Sequence, residues 1–431
     1  MNLTQALTIA SLFDLPEPID AFDFPEKGNI NRETYLIAAG PEKDRGEYIL
    51  QRLNPAVFKK PADVVRAMLA CTEAQQQAIS EGALKDGDEW ETIRLIPTKE
   101  GAVCLQTLCD EGPACWRMMA RIGQARAYKS LLDISDARMR LKTAEEAGRG
   151  LALFGTLTAK MDPLRVRCPL PGYRDTGLYY DQLHSVLAGN RTPAQASPRM
   201  PADAELRQST AEYFVIQARE EEYRRRLIDP PVRRCIDLAL EQKPFALRLA
   251  RGMEEGELKT VIIHGDTKLE NFLFSRRTGK AIALVDLDTI MPHTWLSDWG
   301  DMARSLINPA GEKETDLAKV AADLELFEFA ARGFLGSARH VTDCEVSLMV
   351  DAVQIMSLEL GVRFLADYLR GDNYFRLGPS DPPDLNKTRA LVQFRLFESV
   401  RSRTGQLERI IADCRRDQGD KRIELTGNLL L

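Results

Sequence analysis

The sequence predicts an α+β protein with a strand-rich N-terminal lobe and a larger helical C-terminal lobe. Three observations support this fold class. The chain has 431 residues, which exceeds the length of a typical single domain. Short apolar runs separated by polar turns cluster before residue 122. Beyond that point, apolar residues recur at three- and four-residue spacing, as in amphipathic helices. We therefore expect lobes comprising residues 1–122 and 123–431.

The N-terminal lobe is predicted element by element from its apolar runs. A mildly apolar segment at 3–15 favours a helix. Strands are predicted at 34–37 and 48–53, with a polar hairpin turn between them. A helix is predicted at 62–79, and residues 116–122 form the last strand of this lobe. The hairpin turn implies that the strands at 34–37 and 48–53 pair antiparallel.

The C-terminal lobe is predicted to be helical except for one insertion of strands. Helical spacing occurs at 143–157, 202–227, 232–242, 314–334, 341–369 and 386–414. Between the third and fourth of these helices, short strands are predicted at 260–263, 272–274 and 281–285. A polar, Gly-containing turn joins the last two strands, so they are expected to pair.

A polar string follows the predicted strand at 260–263. It comprises residues 264–271 and reads HGDTKLEN, and Asp286 lies fifteen residues beyond Asn271. Phosphoryl transfer needs a carboxylate that orients the attacking hydroxyl and accepts its proton, and oxygen ligands for Mg²⁺. Asp266 suits the first role, and Asn271 with Asp286 suits the second. Pairing of the two following strands would bring Asn271 and Asp286 close together.

Each of these residues also has a simpler interpretation. An isolated Asp-x-x-x-x-Asn spacing is usually a turn, and Asp286 and Asp288 could be solvated carboxylates at a strand end. His264 is expected to be structural and to hold the loop through backbone hydrogen bonds. Lys268 could neutralise the transferred phosphoryl group, or it could be a solvated loop lysine. The complete string between two predicted strands favours phosphoryl transfer.

Three groups of segments resemble a known family. They lie at 28–35, 48–54 and 57–59, at 264–271, 285–292 and 298–301, and at 362–369 and 371–375. They resemble the aminoglycoside phosphotransferase and choline kinase superfamily, distant relatives of protein kinases, and within it the N-acetylhexosamine 1-kinases. The resemblance implies a bilobal protein-kinase-like fold that binds ATP and Mg²⁺ between its lobes. It also implies that a sugar is the phosphoryl acceptor.

The resemblance implies nucleotide contacts in the N-terminal lobe. The turn at 28–31, which contains Asn29, could place backbone N–H groups over the phosphates, although it could also be an ordinary hairpin. The backbone from Arg121 to Gly123 is expected to bind adenine. The sequence contains no Gly-x-x-x-x-Gly-Lys, which disfavours a P-loop enzyme.

A kinase fold normally carries a cation on its third strand, paired with a glutamate of the following helix. Arg52 is the cation within 48–54. We expect Arg52 to contact the ATP phosphates and to pair with Glu73 on the helix at 62–79. The alternative is that Arg52 is a surface residue of the strand.

The substrate side is also assigned through the resemblance. It implies that Arg363 and Tyr374 reach the sugar and that Asp288, Asp298 and Asp301 support the site from behind it. Arg363 could instead form a structural ion pair with a neighbour on its helix. Two features depart from the family. His293 stands where a glycine usually follows Met-Pro, and residues 164–207 have little that can be matched.

Composition limits the other classes of function. The net charge of −6 gives no reason to expect nucleic acid or a membrane as a partner. Residues 220–226 read as a solvated helix of mixed charge. The eight cysteines contain no Cys-x-x-Cys pair, and no signal peptide or membrane-spanning run is apparent. We therefore expect a cytoplasmic protein with reduced thiols, either a monomer or a small homo-oligomer.

Three alternative functions stay open. The acceptor could be another small hydroxylated molecule, such as an aminoglycoside, choline or a cyclitol. A protein kinase is disfavoured because the sequence contains neither Asp-Phe-Gly nor Ala-Pro-Glu. A binding module without catalysis is disfavoured because every expected catalytic residue type is present.

Overall fold

A computed structural model describes residues 2–17, 19–25, 30–31, 33–109, 112–170, 172–192, 212–339 and 341–427. The chain divides into two compact units. The first unit comprises Met1–Arg126, Leu157–Leu170 and Leu273–Pro292. The second unit comprises Ala127–Thr156, Pro171–Phe272 and His293–Leu431. The predicted α+β class is confirmed, with an antiparallel sheet in the N-terminal region and a helical C-terminal part. The predicted division into lobes at residue 122 stays a prediction.

The strands are, in chain order, β1 (Ile19–Asp23), β2 (Thr34–Ala39), β3 (Gly46–Arg52), β4 (Leu95–Ile96), β5 (Leu105–Cys109), β6 (Gly112–Ala120), β7 (Ala125–Arg126), β8 (Val261–Ile263), β9 (Phe272–Ser275), β10 (Ala281–Leu284) and β11 (Met291–His293). In the first unit, β1, β2, β3, β6 and β4 form a sheet in that order, and β5 pairs with β6. β9 and β10 pair with each other, as predicted for the strands at 272–274 and 281–285. β7 pairs with the other edge of β9 and completes a three-stranded sheet.

The helices are, in chain order, α1 (Leu3–Ala10), α2 (Pro61–Ser80), α3 (Ala137–Thr158), α4 (Thr176–Leu187), α5 (Glu220–Ile228), α6 (Pro230–Ala246), α7 (Arg248–Glu254), α8 (Trp295–Leu306), α9 (Leu324–Ser337), α10 (Asp343–Ser347), α11 (Met349–Arg370), α12 (Leu385–Ser402) and α13 (Thr404–Gly427). Within the described ranges, no helix is both long enough and apolar enough to cross a membrane.

Helix boundaries differ from the predictions where local hydrogen bonds compete. The helix predicted from residue 314 begins at Leu324, because the Asp323 side chain accepts hydrogen bonds from the Glu325 and Leu326 N–H groups. The helix predicted at 341–369 is two helices, and the first opens with a capping box between Thr342 and Glu345. The helix predicted at 386–414 is likewise divided, at Arg403.

Other differences fall in segments with weaker sequence signals. The helix predicted at 3–15 ends at Ala10. Of the helix predicted at 202–227, residues 202–211 lie outside the described residues, and α5 occupies the end of the range. The helices α4, α7 and α8 were not predicted.

The register of the main sheet decides which side chains face α2. Gln51 lies opposite Arg117, and Arg52 lies opposite Trp116. Successive side chains of a strand point to opposite faces, so these two pairs lie on opposite faces of the sheet. Trp116 packs in one apolar cluster with α1, whereas its neighbour Cys115 packs in another cluster with α2. Arg117 therefore shares the α2 face, and Arg52 lies on the α1 face.

The core of the second unit is built around α11. Nearly every residue of this helix is buried, which is typical of a central helix rather than an amphipathic one. It contacts α12, α8, α4 and α6. Gly371 ends α11 in a left-handed conformation, with its N–H donating to the carbonyls of Asp367 and Tyr368. Arg363 is thereby fixed on a rigid element.

Candidate active site

The loop at 264–271 is held from behind by α8. The Asp298 carboxylate accepts hydrogen bonds from the His264 N–H at 2.7 Å and the Gly265 N–H at 2.8 Å. The Thr267 hydroxyl donates to the Asp298 carbonyl at 2.6 Å. Gly265 has a φ of +85°, which glycine adopts without steric cost. These contacts fix the backbone on both sides of Asp266.

The two aspartates of α8 have shifted pKa values. Burial raises the pKa of Asp298 to about 7, although the His264 and Gly265 N–H groups oppose the shift. Burial also favours the neutral form of Asp301, but the guanidinium groups of Arg174 and Arg304 outweigh it and hold the pKa well below the usual range. Asp301 is therefore a buried anion that is held by two cations.

Asp266, Lys268 and Asn271 lie together within the second unit. The Asn271 Nδ2 donates to the Asp266 carbonyl at 2.7 Å and to its Oδ2 at 3.2 Å. The Lys268 Nζ lies 3.2 Å from the same Oδ2 and 2.8 Å from the Glu270 Oε1. The Asp266 side chain is 26% exposed. It is thus a solvent-accessible carboxylate with a cation beside it, and the Asn271 side chain faces it with its nitrogen rather than its oxygen.

His264 is fully buried beneath this loop. Its Nδ1 accepts a hydrogen bond from the Asp266 N–H at 3.2 Å. Its ring makes an edge-to-face contact with Phe154 at 5.7 Å between centroids. These contacts describe a histidine that supports the loop backbone.

Asp286 adopts a rare backbone conformation in the first unit. Its φ of 64° and ψ of 55° lie in the left-handed region. For a residue other than glycine this conformation costs on the order of 1–3 kcal/mol, and such strain is concentrated at functional sites. Its side chain is exposed at the end of β10. The conformation therefore favours a functional role for Asp286 over that of an ordinary strand-end carboxylate.

Asp288 is buried among polar side chains of the same unit. Its Oδ2 accepts a hydrogen bond from the Asn31 Nδ2 at 2.7 Å, and its Oδ1 pairs with Arg117. Arg117 also donates from Nε to the Gln51 Oε1 at 3.0 Å. Asp288 is thus held by Asn31 and Arg117, two contacts that could not be identified from the sequence.

The predicted ion pair between Arg52 and Glu73 is wrong. Arg52 pairs with Glu33 at 2.7 Å, and Glu73 is exposed on α2. The cause is the pleat of the sheet, because Arg52 faces away from α2. Arg117 is a buried cation on the α2 face of this sheet. A cation inside the apolar run of β6 was the available signal for it.

Other predicted nucleotide contacts are placed as follows. Arg121 donates its backbone N–H to the Glu47 carbonyl at 2.9 Å, and its side chain pairs with the Glu47 carboxylate at 2.6 Å. Gly123 is exposed just beyond β6. Asn29 lies outside the described residues. An adenine contact at Arg121 would use its carbonyl rather than its N–H, because the N–H is already bonded.

Arg363 and Tyr374, which were predicted to contact substrate, do lie together. The Arg363 Nη2 donates to the Tyr374 hydroxyl at 3.3 Å. Four rings surround the Arg363 guanidinium, with centroids 4.8 to 5.5 Å from its central carbon; they belong to Tyr173, Tyr179, Tyr374 and Phe375. The Asp367 carboxylate accepts the N–H groups of Tyr374 and Phe375 at 2.9 and 2.8 Å. Asp367 thereby fixes the segment that carries Tyr374.

His293 contacts Ser297 and Arg174 in the second unit. Its Nδ1 lies 2.8 Å from the Ser297 hydroxyl. Burial lowers the pKa of His293 to about 4, so the ring is neutral at neutral pH, and a hydrogen bond to the Arg174 backbone opposes the shift. His293 therefore contacts the backbone of Arg174, which belongs to the range 164–207 that could not be matched to the family.

Comparison with known proteins decides the family. Residues 23–335 match the family described as "Phosphotransferase enzyme family". The chain belongs to this family. The match covers more than half of the sequence and includes the loop at 264–271 together with Asp286 and Asp288.

Solved structures support the protein-kinase-like fold of this phosphotransferase. A microcompartment-associated aminopropanol kinase has a TM-score of 0.55 and 13% identity, over 94% of this chain and 99% of that one. An amicoumacin kinase, solved with AMP-PNP, Ca²⁺ and amicoumacin, has a TM-score of 0.50 and 12% identity, over 91% and 94% of the two chains. At such low identity these similarities establish the fold.

Proposed function

We propose that this phosphotransferase is an ATP-dependent small-molecule kinase. Its proposed acceptor is the anomeric hydroxyl of an N-acetylhexosamine or a related hexose, and its product is a sugar 1-phosphate. The observation that carries the proposal is the accessible Asp266 carboxylate, which lies beside Lys268 and Asn271 in a loop fixed by α8. The alternative acceptor is an aminoglycoside, choline or a cyclitol.

The proposed reaction uses Asp266 as the base. The sugar oxygen attacks the γ-phosphorus of ATP, the bond to the bridging oxygen of ADP breaks, and the sugar proton passes to the Asp266 carboxylate. Lys268 lies 3.2 Å from this carboxylate and would offset negative charge at the transferred group. Asn271 and Asp286 offer oxygen ligands of the type that Mg²⁺ prefers. Bound Mg²⁺ would neutralise the charge on the phosphates.

Arg363 supports a neutral acceptor. Its expected ion-pair partner on α11 would be Glu359, four residues earlier, but Glu359 bonds to the Arg174 Nη1 at 3.2 Å and the Thr176 hydroxyl at 2.7 Å. Among the described residues, no carboxylate pairs with Arg363. A buried guanidinium without a directly paired carboxylate repels an ammonium group and favours a ligand oxygen, and the nearby Glu359 carboxylate is already bonded to Arg174 and Thr176. A hydroxyl or acetamido oxygen of a sugar fits this chemistry.

The first test is ³¹P NMR of the product after incubation of the protein with MgATP and a panel of free hexoses and N-acetylhexosamines. A phosphate coupled to an anomeric proton is the expected result. The same panel should include choline, aminopropanol and an aminoglycoside. Phosphorylation confined to these cationic acceptors would contradict the sugar proposal, although the protein would still be a small-molecule kinase.

Arg363→Met tests the acceptor preference directly. The variant should lower kcat/KM for the best neutral sugar about 10- to 100-fold, because a hydrogen bond to a charged group is worth about 1.5–3 kcal/mol. The dissociation constant of MgATP should not change. Equal kcat/KM for the two proteins would show that Arg363 does not contact the acceptor.

A further inference from the structure

The carbonyl oxygen of Gly265 accepts hydrogen bonds from two neighbouring residues. The Tyr173 hydroxyl lies 2.8 Å from this oxygen, and Arg174 reaches it with Nη2 at 2.7 Å and Nε at 3.2 Å. This carbonyl belongs to the peptide that joins Gly265 to Asp266. The peptide is planar, so fixing its oxygen fixes the direction in which the chain enters Asp266.

Arg174 is itself held on every side. Its Nη2 pairs with the Asp301 carboxylate at 2.7 Å, and its Nη1 pairs with Glu359 at 3.2 Å. Its backbone has a φ of 60°, a conformation that arginine rarely adopts and that the surrounding contacts must maintain. All three side-chain nitrogens are thus engaged, in a planar arrangement that a lysine could not reproduce.

Tyr173 also extends towards the proposed acceptor site. The centroid of its ring lies 5.3 Å from the guanidinium carbon of Arg363, while its hydroxyl bonds to Gly265. Asp175 follows directly and caps α4, with its side chain accepting the Leu178 N–H at 2.9 Å. Tyr173 and Arg174 are therefore fixed in two ways: the chain that follows them enters α4 directly, and their side chains bond to the loop at 264–271.

We propose that Tyr173 and Arg174 form a positioning clamp on the Gly265 carbonyl, which orients Asp266 for proton transfer. The proposal rests on the proposed function, because it requires Asp266 to be the base. Tyr173 also contacts both parts of the proposed site, because its ring lies beside Arg363 and its hydroxyl bonds to Gly265 in the loop at 264–271. A base displaced by a fraction of an ångström loses rate without losing affinity for the acceptor.

Tyr173→Phe is the sharpest test, because it keeps the ring beside Arg363 and removes the bond to Gly265. Turnover on the best acceptor should fall about 10-fold, and KM for that acceptor should stay within about twofold. Arg174→Lys should lower turnover at least as much. Tyr223→Phe is a matched control, since the buried Tyr223 hydroxyl donates to the Val186 carbonyl, also at 2.8 Å. The control should lose similar stability and keep its turnover.

Asp266→Asn separates failure of the clamp from failure of the proposed function. If Asp266→Asn loses turnover while Tyr173→Phe and Tyr223→Phe both keep it, the clamp is overturned and the base stands. If Asp266→Asn keeps turnover, the base is overturned, and the clamp with it. Equal losses in Tyr173→Phe and Tyr223→Phe would also overturn the clamp, because they would show a general effect of stability.

Discussion

At the scale of the residue, the proposed chemistry depends most on Asp266. Asp266→Asn keeps the size of the side chain and removes its ability to accept a proton. We expect turnover to fall about 10²- to 10⁴-fold, the usual contribution of a positioned base. Thermal unfolding of the variant should match that of the parent protein. Near-normal turnover would exclude Asp266 as the base.

Glu270→Gln is the matched control for that substitution. Glu270 also pairs with Lys268, at 2.8 Å, but its side chain is 45% exposed. Exposed pairs contribute about 0–1 kcal/mol, so turnover should stay within about fivefold of the parent value. The comparison separates loss of a carboxylate near Lys268 from loss of the proposed base.

Single residues also show where sequence reasoning ended. Asp266, Asn271 and Asp286 could be chosen because they stand in one local string beside predicted strands. Arg174 could not, because its partner Gly265 is 91 positions away in the sequence and no local pattern links the two. The cation role was assigned to Arg52 from its position in the strand alone, because the face of a strand depends on its register with a partner, which a single sequence does not provide.

At the scale of the element, α3 and α9 cross at two glycines. An added Cβ at Gly148 would lie 2.1 Å from the Ala330 carbonyl oxygen, and one at Gly333 would lie 1.8 Å from the Glu145 carbonyl oxygen. Gly148→Ala and Gly333→Ala should each lower the free energy of unfolding by about 1–3 kcal/mol or more, because the helices must separate. Denaturant unfolding measures the change.

Gly155, also on α3, supplies the control for this crossing. An added Cβ there would meet nothing within 4 Å. Gly155→Ala should raise the free energy of unfolding by about 0.5–1 kcal/mol, because alanine loses less backbone entropy in a helix. A loss in all three variants would indicate a general intolerance of α3 and α9 rather than a close crossing.

The support that α8 gives to the loop should depend on pH. Burial raises the pKa of Asp298 in the folded state to about 7, above the ordinary aspartate value of 3.8. The folded state therefore binds the proton more tightly, and the stability contributed by Asp298 is greatest at low pH and declines as pH rises from about 4 to 7. Relative to Asp298→Asn, the decline should be on the order of 4 kcal/mol. A difference that stays constant from pH 4 to 8 would contradict the raised pKa.

At the scale of the whole molecule, the sequence predicted the class of fold from local patterns. Strand runs and helical spacing predicted the sheet and most helices, because both patterns are local. The compact units were harder to predict, because the first unit includes the distant segments Leu157–Leu170 and Leu273–Pro292. Their membership depends on contacts between residues far apart in the sequence.

Binding of MgATP should stabilise the folded chain as a whole. A ligand that binds only the folded state adds about 2.7 kcal/mol at 100 times its dissociation constant, which raises Tm. Asp266→Asn should keep this gain, since its proposed role is proton transfer. Asp286→Asn should lose most of the rise in Tm that depends on Mg²⁺. This rise is measured as the difference between the Tm with MgATP and the Tm after the metal has been chelated. If both variants kept the full Mg²⁺-dependent gain, Asp286 would not be a metal ligand. If both lost it equally, the division of roles between the two aspartates would be wrong.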